Sequence, residues 1–167
     1  MSLLLSAQAF ARMGYRVFTC WQNTRIPSTQ HGQLDATTDI AIISEWWRRS
    51  PASNIAISTD GMVVIDVDGK SNAWPHDATI RDALMTGVAV STPHGHHYYF
   101  KSPPGVNIRT SQSRIAPHVD VRAHRSCITV PPSGIDGLAY QFEKPFDVRF
   151  ENLPILPDAL IRLCASV

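Results

Sequence analysis

Apolar residues fall at helical spacing at the start of the chain and predict a helix from about Ser2 to Met13, ended by Gly14 at a C-cap position. A strand from Tyr15 to Trp21 follows, carrying Val17, Phe18 and Trp21. The stretch Gln22 to Ala36 is polar, with Pro27 and Gly32, and reads as a long, mobile loop. Ile40, Ile43, Trp46 and Trp47 then recur at helical spacing, which predicts a helix from Thr38, as N-cap, to Arg49, stopped by Pro51. Strand patterns dominate afterwards. Asn54 to Ser58 is a short run, and Asp60-Gly61 predicts a tight turn that pairs it, as a hairpin, with the apolar run Met62 to Asp68. A helix is expected between Ala73 and Met85, and strands at Val88–Thr92, His96–Lys101, His118–Arg122, Cys127–Val130 and Tyr140–Phe142. The tail from Leu156 to Val167 reads as helix. This order predicts an α+β fold in one domain: an α/β unit over residues 1–60, a sheet over 61–150 and a helical tail over 151–167.

Composition narrows the class without naming a chemistry. With 44% apolar residues the chain buries a core, and no apolar run approaches the roughly 20 residues that span a bilayer. No basic segment precedes the N-terminal apolar stretch, so no signal peptide is read and the cytosol is the expected compartment, with no membrane partner. Fifteen basic against fourteen acidic residues exclude a uniformly basic nucleic-acid glove. Cys20, Cys127 and Cys164 are too widely spaced for a C-x2-C zinc site and odd in number for a disulfide framework; Cys20 and Cys127 read as core thiols.

Chemistry concentrates where an apolar strand ends in carboxylates, Val63-Val-Ile-Asp66-Val-Asp68. Period-two geometry places Asp66 and Asp68 on one face with Cα atoms roughly 6.6 Å apart, where they repel. A hard divalent cation such as Mg²⁺ or Mn²⁺ turns that repulsion into binding; a solvated acidic turn is the alternative. Asp120, between Val119 and Val121, sits on another predicted strand. If the two strands are neighbours, three carboxylates meet on one patch of sheet, as two-metal phosphoryl or nucleotidyl transfer requires. Otherwise Asp120 pairs with Arg122 on the outer face.

Ser91-Thr-Pro-His-Gly95-His-His97-Tyr-Tyr-Phe100 reads as a hairpin that brings imidazoles to one edge, with His97 and Tyr99 on one face and His96, Tyr98 and Phe100 on the other. Beside a bound metal, a histidine there can donate to a phosphate oxygen. From His94 to Arg125 five Lys or Arg residues stand against the single acid Asp120, a stretch suited to a triphosphate or a template backbone, or to a plain solvated face. Trp46 and Trp47 read as core.

Taken in order, these segments resemble the bifunctional primase–polymerase domain of the archaeo-eukaryotic primase superfamily. Ala36-Thr-Thr-Asp39, Ile43-x-x-Trp46-Trp47 and Pro51-x-x-Asn54-Ile-Ala-Ile57 resemble the lead-in to that family's first catalytic strand. Val63 to Asp68 is similar to its acidic first motif, Ser91 to Phe100 to its T-P-x-G-G-x-H-x-Y-F segment, and Asp120-Val-Arg122 with Val130-Pro-Pro-Ser133 to its third motif and trailing P-P-S. The chain departs from the pattern at Gly95, which stands at the serine of the family's Ser-x-His, and at Ala123-His-Arg-Ser126, where a glycine turn is usual.

The resemblance implies an RRM-like antiparallel or mixed catalytic sheet packed with an N-terminal α/β unit. It implies that Asp66, Asp68 and Asp120 bind catalytic Mg²⁺ or Mn²⁺, and that His97 contacts nucleotide phosphates; Arg122 is a further candidate phosphate contact. The implied activity is template-directed nucleotidyl transfer, DNA priming and polymerisation, in replication of a chromosome or mobile element. The implied partners are single-stranded DNA template, nucleoside triphosphates and a helicase or other replication protein. Two rivals share the residues: a non-catalytic nucleotide- or nucleic-acid-binding module of replication initiation, and a metal-dependent nuclease or phosphoesterase with water as nucleophile.

Overall fold

A computed structural model describes residues 2–69 and 72–165. Ser2 caps helix α1 (Leu3–Arg12) by accepting from the Leu5 N–H, and Gly14, at φ +92°, turns the chain into strand β1 (Val17–Cys20). The predicted mobile loop is fastened instead. Trp21 N–H donates to the Ile26 carbonyl and Ser28 N–H to the Thr19 carbonyl, and a 3₁₀ turn spans Gly32–Asp35. Helix α2 (Ile40–Arg49) begins one residue later than expected. Its cap is Asp39 rather than Thr38, because the Asp39 carboxylate accepts from the Ala41 and Ile42 N–H groups.

Strands β2 (Asn54–Ser58) and β3 (Met62–Asp68) follow, then helix α3 (Ala78–Leu84), β4 (Val88–Ser91) and β5 (Gly95–Lys101). After them come β6 (Ser111–Ala116), β7 (Val119–Arg122), β8 (Cys127–Thr129), β9 (Gly134–Ile135), β10 (Leu138–Ala139), β11 (Gln141–Phe142) and α4 (Asp158–Ala165). The expected β2–β3 hairpin does not form. β2 pairs antiparallel with β1 and β8 in a three-stranded sheet, whereas β3 is central in a six-stranded sheet of order β11-β4-β5-β3-β7-β6. The turn at Asp60-Gly61 thus passes the chain from one sheet to the other. Sequence patterning missed β6, whose first four residues Ser111–Arg114 are polar and which carries only Ile115 and Ala116 as apolar positions, and the small β9–β10 pair.

All pairings in the large sheet are antiparallel. β3, α3 and β4 form a split β-α-β unit with β5 inserted between the strands, the arrangement of an RRM-like sheet. Among the described residues no helix connects β5 to β7; β6 lies there instead. The fold is α+β.

β3 reads as an unbroken apolar run because both of its faces are covered. Val63, Ile65 and Val67 pack with Leu84 of α3 and Leu160 and Cys164 of α4. Met62 and Val64 face the other way, into a core shared with Phe10, Ile43, Trp47, Ile55 and Ile57 of the N-terminal unit. Trp47 is buried, as expected of a core residue, and its indole N–H donates to the Ser53 carbonyl. Cys20 is buried and Cys127 partly so; burial pushes the Cys20 thiol up to about 12 and raises that of Cys127 as well.

Asp60 ties the sheet-to-sheet turn to the loop after β7. It accepts the Arg125 N–H at 2.8 Å, faces His124 Nδ1 at 2.8 Å and contacts Ser58 Oγ. The Arg125 N–H, helped by Ser58 and His124, holds its carboxyl below the usual range against the opposing effect of burial. A depressed folded value means that this contribution to stability is complete above the unfolded value, about pH 4, and disappears as pH falls through the folded one. Asp60→Asn is expected to flatten the acid limb of a Tm-against-pH curve below about pH 4. An acid limb identical to the parent's shows that the turn draws nothing from the charge.

Candidate functional site

The register of the large sheet decides which side chains meet. Asp66 lies opposite His97 on β5 and opposite Asp120 on β7, so the three form one row across adjacent strands. Alternation sends all three to the face that Val64 and Tyr99 share, where the apolar core ends and a pocket begins. The next row brings Val64 opposite Tyr99 and Arg122, which puts Arg122 on the same face as Asp120. Asp68, two residues beyond Asp66, lies opposite Gly95. The predicted split of His97 and Tyr99 from Phe100 holds, since Phe100 packs in the opposite core.

The carboxylates are held by cations. Asp66, His97 and Asp120 are each less than one-tenth exposed. Arg122 Nη2 donates to Asp120 Oδ2 at 2.7 Å, and its Nε stands 3.7 Å from Asp66 Oδ2. His97 Nε2 is 3.4 Å from Asp66 Oδ1, and Ser113 N–H donates to Asp120 Oδ1 at 2.9 Å. The Asp120–Arg122 pair therefore forms, but on the inner face beside Asp66 and not on the outer one.

Burial works to raise the Asp66 carboxyl, yet the hydrogen bond and charge of His97, with Arg122 and Arg25, hold it below the usual range. Asp68 moves the opposite way: burial and the neighbouring charges of Asp66 and Asp120 raise it, with Arg25 opposing. Asp68 also borders a second cleft of about 600 Å³, beside Asn72, Trp74 and His118.

Carboxylate oxygens are hard donors of the kind a divalent cation takes, and Asp66 and Asp120 stand opposite each other on adjacent strands with Asp68 two residues beyond Asp66. Among the described residues no three His, Cys, Asp or Glu groups converge closely enough to share one ion. Arg122 supplies the neutralising charge between Asp66 and Asp120.

Two groups escaped sequence reasoning. Arg25 and Tyr140 line the pocket of about 170 Å³ above Asp66, together with His97, Arg122 and Thr129. Arg25 comes from the fastened loop, where Cys20 Sγ contacts its carbonyl oxygen and Asn54 Nδ2 donates to the Thr24 carbonyl. It is the single Lys or Arg between residues 22 and 36, the one signal that marked it. Tyr140 N–H donates to the Ser133 carbonyl, its ring lies 5.9 Å from the His97 ring, and burial raises its hydroxyl. His97 Nδ1 and Tyr99 Oη are buried without a partner.

The hairpin that delivers His97 turns at Pro93-His94. Thr92 Oγ1 accepts the Gly95 N–H at 2.9 Å, and the Gly69 N–H donates to the His94 carbonyl at 2.7 Å. At Gly95 the β5 backbone presses on β3: a Cβ built there collides with the Val67 carbonyl oxygen and crowds Asp68 Cα. A serine at this position therefore has no room in this backbone.

Among the described residues no helix is long and apolar enough to cross a membrane. No curated protein matches the chain. The model of the bifunctional DNA primase/polymerase N-terminal family matches residues 7–159. That span holds every strand of both sheets and all of the carboxylate row, and the chain belongs to this family.

Proposed function

We propose that this chain catalyses template-directed nucleotidyl transfer, making or extending primers in replication of a chromosome or mobile element. Family membership implies a primase/polymerase enzyme. The observation that carries the finer reading is the row His97–Asp66–Asp120, which gathers residues distant in sequence on one sheet face. In the reaction a 3′-hydroxyl, from a primer or a first bound nucleotide, gives up its proton to solvent as its oxygen forms a bond to the α-phosphorus of a nucleoside triphosphate. The bond to the β-phosphate bridging oxygen breaks, and pyrophosphate leaves with its electron pair.

Asp66, Asp68 and Asp120 would hold Mg²⁺ or Mn²⁺. When bound, a pair of such ions lowers the pKa of the attacking hydroxyl and neutralises the leaving oxygens. His97 offers Nε2 to a phosphate oxygen, and Arg122 and Arg25 balance charge that the triphosphate brings. The buried strands hold these groups in place, so positioning and electrostatics supply most of the acceleration. Single-stranded DNA is the template in this reading, with a helicase or other replication protein as partner.

Incubation with homopolymeric and mixed single-stranded templates, labelled ribo- and deoxyribonucleoside triphosphates, and Mg²⁺ or Mn²⁺ tests the proposal. Product ladders support it. Shortened template means hydrolysis, and bound template without products means a binding module; either result replaces it. His97→Gln is expected to raise the triphosphate KM by roughly 10-fold or more with a smaller change in kcat, since a hydrogen bond to a charged group is worth about 1.5–3 kcal/mol. An unchanged KM and kcat would make His97 an ordinary strand residue.

A further inference from the structure

The outer edge of the large sheet carries a basic groove that the carboxylate site does not account for. β6 is the terminal strand, and along it runs a cavity of about 750 Å³ lined by Arg109, Arg114 and Arg122, with Cys164 of α4 on its border. Among the described residues Arg109 and Arg114 have no ion-pair partner. Ser111, which also lines the cavity, has a hydroxyl oxygen buried without a hydrogen bond. The pairing of β6 with β7 shifts register between Ser111 and Ala116, and Ser113 takes φ +48°, so the strand departs from a regular ladder where Arg114 is carried.

Arg122 joins this groove to the site. It lines the groove and also the pocket above Asp66, and its guanidinium bonds Asp120. A chain of phosphates lying along Arg109 and Arg114 therefore ends beside the carboxylates. Arginine forks suit phosphodiester oxygens, and guanidinia spaced along an exposed edge suit a repeating anion better than a single compact one. Charge on an edge strand also prevents strand-to-strand association, so the test must separate that role from recognition.

We propose that the Arg109–Arg114–Arg122 groove binds the phosphate backbone of a single-stranded polynucleotide and guides it to the carboxylate row. The direction of guidance rests on the nucleotidyl-transfer reading; the binding itself does not. Fluorescence anisotropy with a labelled oligothymidylate, in EDTA and across a salt series, measures it apart from catalysis. The double variant Arg109→Gln/Arg114→Gln is expected to bind about fivefold or more weakly at low salt. Its slope of log K against log salt should be shallower by about 1.4, the loss of two single-strand phosphate contacts. Arg48→Gln/Arg49→Gln on α2 makes the same change in net charge far from the groove in sequence, at residues paired with Glu45, and should leave both quantities at the parent values.

Parent-like binding by the groove variant overturns the proposal, as does an equal loss in the α2 variant. So does weakened competition by inorganic triphosphate with oligonucleotide affinity unchanged, which would make the groove a triphosphate seat. A protein that binds through the groove yet makes no product sinks the transfer reading alone. One that makes product with the groove variant's binding intact sinks the groove alone.

Discussion

Asp66→Asn is expected to lower nucleotide incorporation by about 10³-fold or more if Asp66 holds a cation as proposed, because a lost ligand charge then forfeits several kcal/mol of transition-state stabilisation at about 1.4 kcal/mol per tenfold. Asparagine keeps the shape and one acceptor oxygen, and Arg122 retains Asp120 as its close partner at 2.7 Å. The fold should therefore survive, with circular dichroism unchanged and Tm lower by a few degrees for the lost attraction to His97 and Arg122. Asp120→Asn should behave alike, with the Ser113 N–H still able to donate to the amide oxygen. Mn²⁺ titration followed by electron paramagnetic resonance gives the independent readout: both variants should bind the ion more weakly. Synthesis at the parent rate by either folded variant removes the carboxylates from the mechanism.

Gly95→Ser should have a large effect on stability, although it introduces the serine of the Ser-x-His pattern that the chain resembles. The obstruction is backbone: the Val67 carbonyl oxygen sits where a Cβ must go, and Asp68 Cα lies 3.1 Å from it. A side-chain tip can swing away, but β3 is packed on both faces and cannot. Separating β5 from β3 costs about 3 kcal/mol or more, which at this chain length is a fall in Tm of roughly 6–12 °C. Because Gly95 faces Asp68 and lies two residues before His97, incorporation should fall as well. A serine variant that melts with the parent and gains activity shows that the strand has slack, and that the missing hydroxyl was the defect.

The carboxylate row was legible because three signals agreed: an apolar run ending in acids, period-two spacing, and a second strand with an acid between valines. Each is local, and the register that joins them follows once β3 is central. What stayed hidden depends on long-range contact. Arg25 reaches the pocket only because its loop is pinned to Thr19 and Asn54, and no periodicity marks a loop residue. β6 carries no apolar alternation, since its residues are half-buried or exposed at a sheet edge, so its pattern is that of a loop. The supposed β2–β3 hairpin had the right turn and the right strands but the wrong partners. Asp60-Gly61 specifies a reversal, and only the burial of β3 on both faces sends it to a different sheet.

The pairing of β2 with β8 bears on how the protein is made. Ala56 lies opposite Thr129, so the small sheet takes its third strand from beyond the entire β3–β7 segment. During translation β1 and β2 emerge first and wait as an incomplete ribbon, with the β2 edge open to any strand that reaches it. The ribbon closes only after residue 129 has cleared the ribosome, and such distant pairing is slow. Fragments ending before β8 should therefore clump rather than accumulate as a soluble N-terminal half.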